Sequence, residues 1–115
     1  MLKDIEERIL IERYAANLPE KEALQLLSDL NSSTIQDSST NCRRMFDIAG
    51  YVRPLNGGQH AFNVEGKVLD KDGADVSVVL YADKNNRLLE LEFIRWDGEK
   101  VVGLQWNTLQ IYTSN

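Results

Sequence analysis

The amino-acid sequence predicts an α+β fold, in which two N-terminal helices pack on one face of a mostly antiparallel meander sheet of about five to six strands. Three observations carry this prediction. Helical periodicity is confined to the residues before 31, alternation of period two dominates after 44, and the alternating segments are separated by short turn signals such as Asp72-Gly73 and Asp97-Gly98.

The first helix is predicted over residues 2–15. Leu2, Ile5 and Ile9 follow the i, i+3, i+4 rule, Ile11 and Tyr14 widen the stripe, and Asp4, Glu6 and Glu7 suit the positive end of the helix dipole. The second is predicted over residues 19–30. Pro19 takes the first helical position, Glu20 and Glu22 follow it, and Ala23, Leu24, Leu27 and Leu30 form the apolar face. Residues 31–43 are rich in Ser, Thr and Asn and read as a loop or a short edge strand centred on Ile35.

Strands are expected over residues 45–52, 61–70, 75–82 and 88–96, with shorter ones at 101–104 and 108–112, so that the sheet spans 44–112. Phe62, Val64 and Val68 share one face, as do Val76, Val78 and Leu80. Leu89, Leu91 and Phe93 point away from Glu90 and Glu92. Asp72-Gly73, the 83–86 segment and Asp97-Gly98 supply three hairpin turns, and Asn56-Gly57-Gly58 a further turn. Helix stripes need a surface to bury against, and one face of the sheet is the available one.

The chain of 115 residues is read as one domain, 1–115, large enough to fold without a metal or disulfide. Thirteen Lys and Arg against 18 Asp and Glu give a net charge of −5. That balance repels phosphate backbones and anionic lipid and suits a basic protein partner. Arg43, Arg44 and Arg53 are the only local concentration of positive charge, too little for a nucleic-acid surface. A single cysteine, Cys42, a charged N-terminus and the lack of a long apolar run point to a cytoplasmic protein with no membrane segment.

Reactive groups are scarce. Cys42 and His60 are the only residues of their kinds, too far apart in sequence for a zinc motif, and neither sits in a nucleophile motif. The Asp70–Asp75 segment lacks the acids a calcium loop requires. Neither a catalytic residue nor a cofactor nor a metal site is predicted. Glu90 and Glu92 share a strand face about 7 Å apart. They read as a solvated outer face, as the acidic half of a protein interface, or, least favoured, as an acid–base pair. By the same parity Trp96 and Ile94 join them, and Val79, Tyr81 and Asp75 fall on the same side. Glu90, Glu92, Trp96, Asp75 and Tyr81 are therefore the candidate partner-binding residues, with Trp96 as an aromatic anchor. The alternative is that this second face is a small core covered by the 31–60 segment.

Within Gly66–Ile111, the segments Val68-Leu69-Asp70-Lys71-Asp72-Gly73, Val78-Val79-Leu80-Tyr81-Ala82-Asp83, Leu89-Glu90-Leu91-Glu92-Phe93 and Asp97-Gly98 resemble a family of small bacterial proteins with a Leu-Glu-Leu-Glu strand running into an Asp-Gly turn. That resemblance implies no activity. The overall build (small, acidic, single-domain, without enzymatic motifs) resembles the bacterial toxin-immunity proteins of contact-dependent growth inhibition systems. This second resemblance implies a cytoplasmic monomer or weak dimer that masks the active site of a cognate, basic toxin, a nuclease domain by analogy. An acidic secretion chaperone or adaptor for an exported protein is the alternative role.

Overall fold

The computed structural model describes residues 5–40 and 42–113. Helices α1 (Ile5–Ala16) and α2 (Glu20–Asn31) precede strands β1 (Ser33–Ile35), β2 (Arg43–Ile48), β3 (Gln59–Ala61), β4 (Val64–Asp70), β5 (Asp75–Asp83), β6 (Leu88–Arg95) and β7 (Leu104–Thr113). The seven strands form one antiparallel sheet in the order β1-β2-β6-β5-β4-β7, with β3 sharing an edge of β5 with β4. The class is the predicted α+β, with two helices on one face and a slightly higher strand count.

The β4–β5 and β5–β6 hairpins form where the turn signals fall. Gly73 at φ 87° and Asn86 at φ 63° take the left-handed conformations that such turns require. The meander stops there. Asp97-Gly98 does not close a hairpin, because β7 crosses to the far side of β4 while β2 takes the free edge of β6. The expected strands at 101–104 and 108–112 are one strand, β7, and its pairing with β4 is irregular between Lys67 and Leu69.

A buried ion pair holds the crossing. The Arg95 side chain is only 4% exposed and donates to Asp70 Oδ2 and Asp72 Oδ2, each at 2.9 Å. Asp70 also accepts the backbone N–H groups of Lys71, Val102 and Gly103 at 2.8–3.1 Å. Burial pushes the Asp70 carboxyl up, but the Gly103, Val102 and Lys71 amides and the Arg95 guanidinium outweigh it and bring it down to about 2. Thus Asp70 and Asp72 are engaged by arginine and backbone.

The inner face carries the core: Val64, Val68, Val76, Val78, Leu80, Leu91 and Phe93 pack against Leu10, Ile11, Tyr14, Leu26 and Leu30. Phe93 meets Trp106 edge-on at 6.0 Å although two strands separate β6 from β7, so the sheet curls around its helices. Gly66 is where a helix side chain comes closest. A Cβ there would lie 2.9 Å from the Tyr14 hydroxyl, 3.0 Å from Val78 Cβ and 3.1 Å from Ile111 Cδ1. Tyr14 uses that space to donate to the Val78 carbonyl at 2.6 Å.

Several sequence expectations need correction. In α1 the buried positions are Glu7, Leu10, Ile11, Tyr14 and Ala15, whereas Ile5 and Ile9 are exposed; Leu2 and Asp4 lie outside the described residues. The helix is turned because its sides are held by polar contacts: Glu7 pairs with Arg44 at 2.9 Å, and Arg8 donates to Asn31. In α2, Leu26 replaces Leu24 on the buried face, and Pro19 caps the helix rather than opening it. A bulge after Tyr81 lets Leu88, not Leu89, occupy the core opposite Ala82.

Candidate functional site

The face of the sheet away from the helices is assembled by strand register. Side chains directly opposite one another in an antiparallel pair point to the same side. Tyr81 opposes Glu90, Val79 opposes Glu92, and Ser77 opposes Ile94 across β5 and β6. Arg43 opposes Glu92 from β2, Lys67 opposes Ser77 from β4, and Tyr112 opposes Glu65 from β7. Within the 31–60 segment, β1 and β2 extend the sheet sideways, and Arg43 of β2 reaches over Glu90 on this face.

Trp96 follows β6 on this side and remains 77% exposed, with its indole N–H donating to Ser77 Oγ at 2.9 Å. One hydrogen bond thus fixes the ring's lean while its surface stays in solvent. Trp106, its counterpart across the crossing, is instead packed against the core. Trp96, Asp75, Ser77, Val79, Lys67 and Tyr112 line a shallow groove of about 570 Å³. Asp75 is exposed within it and pairs with Lys67 at 3.4 Å.

Beside the groove lies a polar cluster. Glu90 is 1% exposed, so it is not the solvated acid that its strand parity suggested. Arg43 covers it, donating Nε to Oε2 at 2.7 Å and Nη2 to Oε1 at 3.4 Å. The guanidinium itself is about half exposed. Buried Glu90 therefore supplies a seat, and Arg43 is the group presented to solvent. Glu92, next along the face, accepts the Tyr81 hydroxyl at 3.2 Å. Burial raises the Tyr81 phenol above its ordinary value, and the charge and hydrogen bond of Glu92 raise it further.

All five sequence-predicted residues thus lie on one side of the sheet, in two adjoining groups: Asp75 with Trp96, and Tyr81 with Glu90 and Glu92. Sequence reasoning missed Arg43, whose link to Glu90 spans 47 positions. The structure does not bring Cys42 and His60 together. Cys42 accepts from the Phe93 amide through its carbonyl, whereas His60 pairs with Ala82, beside the opposite end of β6. Among the described residues there is no group of three or more His, Cys, Asp or Glu side chains placed to hold a metal ion. No helix among them is long and apolar enough to cross a membrane.

Fold and face together define a two-layer α+β domain with one sheet face packed and the other bare, aromatic and charged. The chain belongs to the family described as Domain of unknown function (DUF6984), whose model matches residues 4–105. No curated protein and no solved structure matches it.

Proposed function

We propose that this protein is a binding module without turnover, which docks a basic protein on the bare sheet face and masks that partner's working surface. The observation that carries this reading is Trp96: a large aromatic residue kept 77% exposed and fixed in orientation beside a groove and a charged cluster. Exposed aromatics with limited freedom are the usual anchors of protein interfaces. An arginine held by a buried carboxylate is likewise pre-ordered, so less conformational entropy is lost on contact. The chain's net charge of −5 speeds encounter with a positive partner.

The partner class that best fits the overall build is a cognate bacterial toxin, with a nuclease domain as the basic target. Trp96, Tyr81, Asp75 and Glu92 make the contacts, and Glu90 supports Arg43 from beneath. The protein then acts in the cytoplasm as an immunity protein. The test is co-expression with a toxin encoded beside it. The protein protects cells and co-purifies with that toxin in a complex that weakens as salt is raised. Undiminished killing and no complex would end this reading.

A further inference from the structure

We propose that β7 is a self-association edge, through which two copies of this chain join in an antiparallel pair about a twofold axis. β7 is the outermost strand of the sheet, and no strand among the described residues pairs with its other edge. An exposed edge is a template for another chain, and monomeric proteins usually blunt it with charge, proline or extreme shortness. The opposite edge is blunted in this way, since β1 has only three residues. β7 has ten residues and contains neither proline nor a charged side chain.

The lack of charge extends well beyond the strand. From Val101 to Asn115 there is no charged residue, in a chain of which 27% is charged. A twofold contact sets each strand against its own copy, so any charge near the axis faces a like charge. A neutral edge is what such pairing needs, the more so when each copy carries −5. A basic partner would instead select acidic side chains, which β7 does not offer. Arg13 donates to the Leu109 carbonyl at 3.4 Å and guards the irregular stretch. Beyond it Gln110, Ile111, Tyr112 and Thr113 pair one-to-one with Lys67, Gly66, Glu65 and Val64, and this regular end is the part that meets its copy. Opposed residues must share a face, so the axis falls on a residue; centred on Ile111, the pairing sets Gln110 opposite Tyr112 of the second copy. Strong strand formers then lie at the axis.

Sedimentation equilibrium of the full chain tests this. The average mass is expected to rise from 13.1 kDa toward twice that value with concentration, and further with added salt as the mutual repulsion is screened. Q110K/Y112K, at two exposed positions, sets lysine against lysine and is expected to stay monomeric. Y112K is a second variant, which sets one lysine from each copy diagonally across the axis. Thermal melts confirm that each is folded. Slower amide exchange at 110–113 at high concentration is expected in the wild type alone. A wild-type mass fixed at 13.1 kDa would overturn the proposal, as would a dimer that survives in both variants when folded.

Discussion

Asp70 and Glu90 are both buried carboxylates answered by an arginine, yet they lie on opposite faces of the same sheet. Asp70 and its partner Arg95 are sequestered together, and three backbone N–H groups complete the carboxylate's shell. Glu90 is equally buried, but its partner Arg43 is half exposed. The difference separates two uses of one interaction. On the inner face the pair is a staple that fixes where the chain crosses from β6 to β7. On the outer face the carboxylate is a foundation, and the arginine standing on it is available to another molecule.

Breaking each pair in turn sharpens this contrast. The largest effect is expected for Asp70→Ala, which takes from buried Arg95 one of its three carboxylate partners and leaves the 102–103 amides without an acceptor. A loss of about 3–5 kcal/mol is expected in urea unfolding, the usual size for breaking a buried pair. Acid makes the same cut without a mutation. The folded-state value of Asp70 lies below its ordinary one, so its contribution is fully present above about pH 4 and disappears as the pH falls toward 2. Denaturant midpoints measured between pH 5 and 2 should fall in wild type and stay flatter in Asp70→Asn.

Gly66→Ala comes next, at about 1–3 kcal/mol, because the new methyl meets Tyr14, Val78 and Ile111 at once. Glu90→Gln keeps the shape and one acceptor for Arg43. It should cost about 1–2 kcal/mol in stability, and partner affinity falls as the guanidinium loses its seat. At the small end, Trp96→Ala should leave stability within about 0.5 kcal/mol of wild type, as exposed positions do.

Much of this arrangement was legible in the sequence, for reasons tied to particular residues. Alternation in β5 and β6 placed Trp96, Glu92 and Tyr81 on one face, because strand parity is local and holds wherever no bulge interrupts it, as one does at Leu88–Leu89. Asp72-Gly73 closed its hairpin because a turn with a left-handed glycine is locally determined. Asp97-Gly98 did not, since Arg95 and Asp70 redirect the chain through contacts 25 positions apart. The α1 stripe misled for a similar reason. Ile5 and Ile9 satisfy the helical spacing, but Glu7–Arg44 and Arg8–Asn31 set the rotation of the helix. The burial of Glu90 was invisible because Arg43 reaches it from a different strand.

Trp96 and Trp106 give the most direct test of the claim that the bare face is the working one. Each is changed to alanine, and melting temperature is measured beside protection by co-expression with the cognate toxin. The account predicts that Trp96→Ala melts like wild type yet no longer protects, whereas Trp106→Ala melts earlier and still protects wherever it is folded. A folded Trp96→Ala protein that protects as well as wild type would contradict it.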